Sequence, residues 1–450
     1  MIIAIAGGGS TFTPGIVKSI ALRKDELGVD EIRLYDINKE RQDKVAVVVK
    51  WILDEELHSG IKLTVTNDKK EAYTDASFVF AQMRVGLYAM RESDEKIPLK
   101  HGCVGQETCG CGGLAYGMRT IFPMIELIDD VEKYAKKDYW ILNYSNPASI
   151  VSEACNKLRP NARIINICDM PIAIIDLVVA ALEIKDKKNI VYDYFGLNHF
   201  GWFTNIEYKG ESIMEPLKAY IKEHEILLPA SYLKGKESLT STSNNTNRHA
   251  KGSWYYVWKG VYEILENFPE YIPNTYMQYY LLGDLILQQL NKEYTRANEV
   301  MDGREATLFK VIDEYEKTGK YDKEAFHVGA HGLFIVALAN DMKKKYLVIV
   351  ENKGAIKNLP DDAMVEIPCY ITKDGPVATY HGLEIPTFYK GMIEQQLASE
   401  KCLVDAYMEN SYVKALMAFT LNKTVSSSQK AKEILDRLIE ANKGYWPELK

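Results

Sequence analysis

Two short stretches of this chain carry side chains that could share one cation. Ile167-Cys168-Asp169-Met170-Pro171 closes the apolar run Arg163–Ile167, which reads as a buried strand. Gly196-Leu197-Asn198-His199-Phe200-Gly201-Trp202 closes a second such run. A thiolate and an imidazole brought together from two strand ends make half of a divalent-ion site, with the remaining positions open to substrate oxygens. Ligand softness alone points to zinc. Taken singly, Cys168 and His199 read more simply as a buried thiol and a hydrogen-bonded core histidine. Asp169 adds a carboxylate beside the thiol.

A second kind of chemistry is written at the N-terminus. Gly7-Gly8-Gly9-Ser10-Thr11 follows the first strand and precedes the first helix. Glycines at that point let phosphate oxygens approach backbone N–H groups at a helix N-terminus. Asp36 ends the second strand, where a carboxylate can bind ribose hydroxyls. Phe12 stands where the usual fingerprint has its third glycine, and the plain alternative is a tight strand–helix turn.

Other candidates are weaker. Cys103, Cys109 and Cys111 with His101 match no common structural zinc spacing, and the glycines at 110, 112 and 113 suggest a flexible active-site loop. His327 and His331 are read as structural. Arg84, Arg91, Arg119 and Arg296 are candidate anion binders, because a guanidinium fork matches phosphate, although each could be a surface ion pair. Among the abundant tyrosines, Tyr276, after Ile272-Pro273-Asn274-Thr275, is the candidate base.

These residues need a frame, and the first 200 residues supply one by alternating strand and helix. Strands are predicted at Ile2–Ala6, Glu31–Tyr35, Lys62–Val65, Phe78–Gln82, Trp140–Asn143, Arg163–Ile167 and Ile190–Phe195. Helices are predicted at Pro14–Leu22, through Val45, Val48, Val49 and Ile52, and at Met124–Ala135, Ala148–Leu158 and Pro171–Leu182. Such alternation implies a parallel, doubly wound α/β sheet. Beyond residue 200 the pattern changes. Tyr208–Glu211 reads as a hairpin turn, and 239–251 is a Ser-, Thr- and Asn-rich stretch expected to be irregular. Helices are expected at Tyr276–Leu290, at Arg304–Lys317 and through Ala431–Ile439, with Gly444 as a stop. Strands are expected at Tyr346–Glu351 and Met364–Ile371. The predicted architecture is a Rossmann-like domain over residues 1–197 and a mixed α+β, mostly helical domain over 198–450.

The bulk properties exclude several classes. The chain has 450 residues, 47% hydrophobic and 26% charged, with a net charge of −7. That balance argues against a nucleic-acid or anionic-membrane partner. Seven cysteines without a disulfide-framework spacing suit reduced thiols in the cytoplasm. The apolar segment Ile172–Leu182 is interrupted by Asp176 and is well short of the ~20 residues a membrane span requires.

Together these motifs resemble glycoside hydrolase family 4, and within it the branch acting on 6-phospho-α-glucosides such as maltose 6'-phosphate. The matching segments are 6–15, 84–99, 104–119, 142–148, 166–171, 196–202, 273–280, 295–305, 351–356 and 365–368, essentially the whole chain. Asp after the metal-type Cys is the α-branch variant, where the β-glucosidase branch usually has Asn. Cys111 departs from the family, whose close relatives tend to have Pro in that loop.

The resemblance implies roles. Cys168 and His199 would hold a divalent metal, Mn2+ or another such as Fe2+, Co2+ or Ni2+. Asp169 would be the proton donor and Tyr276 the proton acceptor, with Glu107 raising the basicity of the tyrosine. Arg91, Asn146 and Arg296 would bind substrate, and Gly7, Gly8, Gly9, Ser10, Thr11 and Asp36 would bind NAD+. The family departs from the two-carboxylate rule of glycoside hydrolysis by using NAD+ to oxidise the sugar transiently. A homodimer or homotetramer acting on a phosphorylated disaccharide is expected. The alternatives are a 6-phospho-β-glucosidase of the same family, an NAD-dependent hydroxy-acid dehydrogenase and a non-catalytic NAD sensor.

Overall fold

The computed structural model describes residues 1–229, 254–319 and 331–450. The stretch 239–251 and His327 lie outside the described residues. Six strands form a parallel array: β1 (Ile2–Ala6), β2 (Glu31–Tyr35), β3 (Lys62–Thr66), β4 (Phe78–Ala81), β5 (Trp140–Asn143) and β6 (Ile164–Asn166). Their spatial order is β6-β5-β4-β1-β2-β3. That order is the dinucleotide-binding one, with its switch point between β1 and β4. β1, Ile-Ile-Ala-Ile-Ala, is buried along almost its whole length, as expected of a central strand covered by helices on both faces.

The predicted strand at Ile190–Phe195 does not continue this array. It belongs to a second, antiparallel sheet made by β7 (Ile190–Leu197), β8 (Phe200–Tyr208), β9 (Glu211–Ser212) and β10 (Ile272–Pro273). The cause is local. Only Asn198 and His199 stand between the paired residues Leu197 and Phe200, so the chain turns straight back on itself. A parallel partner would need a crossover of a dozen residues or more.

The later half of the chain also extends the first sheet. β11 (Lys344–Glu351), β12 (Met364–Thr372) and β13 (Gly375–Ala378) add to it antiparallel, with Ile349 of β11 opposite Asn166 of β6. The expected helix Tyr276–Leu290 is two short ones, Met277–Leu281 and Gly283–Gln289.

The glycines at 110–113 are not a flexible loop. They begin a helix, Gly110–Tyr134, that starts well before the predicted Met124. A Cβ on Gly112 would sit 2.2 Å from the Gln106 carbonyl oxygen. These glycines serve close packing, which on sequence alone looks the same as looseness. Two further helices, Thr387–Glu409 and Tyr412–Leu421, had no prediction. Buried Gln396, Ser399 and Glu400 interrupt the apolar face of the first of them, so its periodicity is masked.

Arg119, one of the candidate anion binders, is structural. It is 1% exposed and pairs through both Nη atoms with Asp94, at 3.1 and 2.5 Å, and through Nη1 with Asn442 at 2.5 Å. This joins the helix Leu87–Lys100 to Gly110–Tyr134 and to the end of the C-terminal helix Ser428–Ala441. Removing one member of a buried pair strands the other charge. Arg119→Met should therefore lower the unfolding free energy by about 3–5 kcal/mol in urea titration, and Asp94→Asn with Arg119→Met should recover part of it. A single variant as stable as wild type would contradict the assignment.

Candidate active site

The site is assembled at the carboxyl ends of the parallel strands. Cys168 follows β6, and His199 sits at the tip of the β7–β8 hairpin with φ +62°. The two are not adjacent strand ends of one sheet, as expected from the sequence. They come from different sheets and meet with Cys168 Sγ 3.3 Å from His199 Nε2. Burial pushes the Cys168 thiol well above its usual range and depresses the His199 imidazole to about 4, so both are neutral in the protein alone.

The pair fits a metal on chemical grounds. Ligands about 2.3 Å (sulfur) and about 2.1 Å (nitrogen) from a common ion are separated by roughly 3.1 Å at a right angle and roughly 3.6 Å at the tetrahedral angle, which brackets the observed distance. A cation would offset the desolvation that keeps the thiol protonated. Among the described residues no group of three or more His, Cys, Asp or Glu side chains is arranged to hold an ion. Cys103, Cys109 and Cys111 are buried, with Cys109 in one packed cluster and the other two in another.

Tyr276 lies flat on the His199 ring, with centroids 3.9 Å apart and an interplanar angle of 8°. Its backbone N–H donates to Asn274 Oδ1 at 3.1 Å. Burial first, then the neighbouring Tyr279, Cys168, Cys109 and Glu107, raise its phenol well above the ordinary value. Asp169 is exposed at the N-cap of the helix Met170–Ala181.

One cleft unites Arg84, Arg91, Glu107, Asn146, Tyr276 and Arg296, while Cys168, Asp169, His199 and the glycine turn are not among its lining residues. Met170 lines it too, directly after Cys168-Asp169. Its charges are arranged in a chain. Glu107 pairs with Arg84 and, at 2.7 Å, with Arg91 Nη1. Arg91 Nε also donates to Glu95 at 2.8 Å. Glu95 in turn accepts from the Ala297 N–H at 2.8 Å, beside Arg296, whose own partner is Glu299 at 2.6 Å. Asn146 is positioned from β5 and β6. Asn143 Nδ2 donates to Asn166 Oδ1 at 2.8 Å, and Asn143 Oδ1 accepts from Ser145 N at 2.8 Å.

The glycine turn lies at the β1–β4 switch point. Gly7 has φ +86°, and a Cβ there would sit 2.8 Å from the Gln82 carbonyl oxygen. Asp36 Oδ2 accepts from Gly9 N at 2.8 Å, so the acid at the end of β2 also braces the turn. Ser10 Oγ accepts from Phe12 N. Phe12 is exposed and lines the same cleft, so the residue standing in for the third glycine faces the site. A backbone at such a turn suits a pyrophosphate, and a carboxylate beside it suits a ribose.

Sequence reasoning missed Glu95 and Glu366. Both are 1% exposed. A usable signal existed for Glu366: it is a lone charge within the apolar run Met364-Val365-Glu366-Ile367.

Comparison with known proteins identifies the family. Residues 2–184 match the family 4 glycosyl hydrolases, and residues 194–425 match the family 4 glycosyl hydrolase C-terminal domain. A maltose-6'-phosphate glucosidase of Fusobacterium mortiferum is 46% identical over 453 residues, covering 100% of this chain and 99% of that one. The crystal structure of a 6-phospho-alpha-glucosidase from gut microorganisms, in complex with NAD and glucose-6-phosphate, aligns with a TM-score of 0.93 at 48% identity and covers 100% of both chains. A second such enzyme, in complex with NAD and Mn2+, aligns with a TM-score of 0.91 at 42% identity, covering 100% of this chain and 99% of that one. The nucleotide-type turn, the thiol–imidazole pair and these full-length likenesses lead to one conclusion: the chain belongs to glycosyl hydrolase family 4.

Proposed function

We propose that this protein hydrolyses 6-phospho-α-glucosides such as maltose 6'-phosphate, releasing glucose 6-phosphate and glucose, with NAD+ and a divalent metal, Mn2+ by preference. The observation that carries the reading is the stack of Tyr276 on His199 beside Cys168, with Tyr276 also lining the cleft of Arg91 and Arg296. The relatives at 45–46% identity are α-phosphoglucosidases, whereas a Thermotoga maritima 6-phospho-beta-glucosidase is 29% identical. Asp169 after Cys168 supports the same branch.

Cys168 and His199 would hold the metal, and the glycine turn 7–9 with Ser10, Thr11 and Asp36 would hold the dinucleotide. When bound, NAD+ supplies a reversible hydride acceptor for sugar C-3, and the metal supplies a Lewis acid for the neighbouring oxygens. A C-2 hydrogen beside a ketone is acidic, and Tyr276 is the group that removes it. Tyr276 can act only as phenolate, and burial opposes that form. A cation at the Cys168–His199 pair would favour it. Glu107, whose charge acts on Tyr276, would raise its basicity once ionised. Asp169, at the open side, gives its proton to the departing C-1 oxygen. Addition of water at C-1, return of the proton at C-2 and return of the hydride to C-3 would complete a hydrolysis with no net redox change. Arg91, Asn146 and Arg296 orient the phosphorylated sugar.

The labour divides near residues 197/198. The earlier part carries the dinucleotide turn, and the later part brings His199, Tyr276 and Arg296. All seven cysteines are free, which supports a reducing, cytoplasmic setting. Exposed Met408, Val413 and Met417 on the late helices support a homodimer or homotetramer. Among the described residues no helix is long and apolar enough to cross a membrane.

Turnover of maltose 6'-phosphate should require NAD+, Mn2+ and a reductant together, without steady NADH accumulation at 340 nm. No hydrolysis with all three present would sink the assignment, and stoichiometric NADH would favour a dehydrogenase. Tyr276→Phe keeps the ring on His199 and loses the phenol. It should lower kcat by about 10²–10⁴-fold while leaving Mn2+ binding and the thermal midpoint near wild type. A kcat within a few-fold of wild type would remove Tyr276 as the base.

A further inference from the structure

β12 carries a carboxyl group where its neighbours are apolar. Val365 and Ile367 are fully buried, and Glu366 between them is 1% exposed. The sheet register explains where it points. Asn166 of β6 lies opposite Ile349 of β11, and Ile349 lies opposite Glu366. Glu366 is thus two strands from the strand that leads to Cys168, and level with its end.

Two polar arms meet at this carboxyl. On one, Glu366 Oε1 accepts from Asn198 Nδ2 at 3.0 Å, and the Asn198 side chain also lies beside Cys168. Asn198 directly precedes His199. On the other, the Tyr194 hydroxyl lies beside Glu366 and accepts from Asn274 Nδ2 at 3.1 Å. Asn274 Oδ1 then accepts from the Tyr276 N–H at 3.1 Å, and Asn274 N donates to the Gly201 carbonyl at 2.8 Å. Asn198, Tyr194 and Asn274 are all buried.

The chemistry of these groups makes the carboxyl directive. An amide nitrogen has two N–H bonds, so an acceptor on one fixes where the other aims. With Glu366 as that acceptor, the second N–H of Asn198 is left to turn toward the neighbouring thiol. A Tyr194 hydroxyl that turns its proton toward the neighbouring Glu366 leaves its oxygen lone pairs for Asn274. Both orientations follow from one acceptor in a low-dielectric interior, where a wrong orientation leaves a polar group unpaired. For packing alone, an apolar side chain of similar volume would serve as well or better.

We propose that Glu366 is a positioning residue that holds the Cys168–His199 pair and Tyr276 in register with each other through Asn198 and through Tyr194–Asn274. The inference rests on the reading of Cys168 and His199 as metal ligands, so its test separates the two. Mn2+ binding to the full-length protein with NAD+ is measured from the EPR signal of free Mn2+. The thermal midpoint of metal-free protein and kcat at saturating Mn2+ are measured beside it.

Glu366→Leu should weaken Mn2+ binding by about 10–100-fold, while Glu366→Gln, which keeps an acceptor oxygen, should stay much closer to wild type. Tyr194→Phe cuts only the second arm. It should lower kcat at saturating Mn2+ by about tenfold with Mn2+ affinity and midpoint nearly unchanged. If His199→Ala binds Mn2+ as tightly as wild type, the metal-site reading itself fails. If His199→Ala loses Mn2+ but folded Glu366→Leu does not, the role of Glu366 is overturned and the site reading stands. Should Glu366→Leu not fold, Tyr194→Phe decides, and full kcat in that variant overturns the proposal.

Discussion

Two sheets of this protein end within 3.3 Å of each other, at Cys168 Sγ and His199 Nε2. Everything proposed for the site depends on that approach. One partner follows a parallel strand and the other caps an antiparallel hairpin, so no single element sets the distance. It is held by what packs around it: β11 laid against β6, β12 against β11, and β10 against β8. The hairpin tip gives His199 its left-handed backbone, and β10 delivers Asn274 and Tyr276 to the imidazole face. A chain that folded only its first sheet would have the thiol without its partner.

The second constraint is electrical. The cleft holds Arg84 and Arg91 against Glu107, with Glu95 behind them. Buried charges of this kind persist because each has a partner, and together they form a pocket that can trade one anion for another. A phosphorylated sugar offers such an anion. The same low-dielectric setting raises Tyr276 and Cys168 away from their charged forms. In the roles proposed for them, base and ligand would therefore be inactive in the protein alone. A divalent cation at the pair would reverse both biases at once, and metal loading would then be tied to the ability to take a proton.

Much of the frame is legible in the sequence because it rests on local periodicity. β1, β5 and the helix Ala148–Leu158 coincide with their predictions, since continuous apolar runs and i, i+3, i+4 spacing are short-range signals. Where buried polar residues serve another purpose, that signal fails. Gln396, Ser399 and Glu400 hide a 23-residue helix, and packing glycines make the start of Gly110–Tyr134 look like a loop. The same limit applies to the charges. Arg84, Arg91, Arg119 and Arg296 look alike as residue types, and only the structure separates Arg119, locked on Asp94, from the three that line the cleft.

The sequence by itself determined the chemical vocabulary: a glycine turn after a buried strand, a thiol beside a carboxyl, a histidine, a tyrosine and several arginines. It also determined the six strands of the parallel frame, because each declares itself within a few residues, but not where the frame ends, since Ile190–Phe195 reads as a seventh strand and belongs to the second sheet. Only the tertiary structure decided which of these groups share a site. The distances from Cys168 to His199, from His199 to Tyr276 and from Asn198 to Glu366 are set by pairing between strands far apart in the chain. Such pairing is decided by sheet register and by compensation of buried charge, and neither is a property of a local stretch of residues.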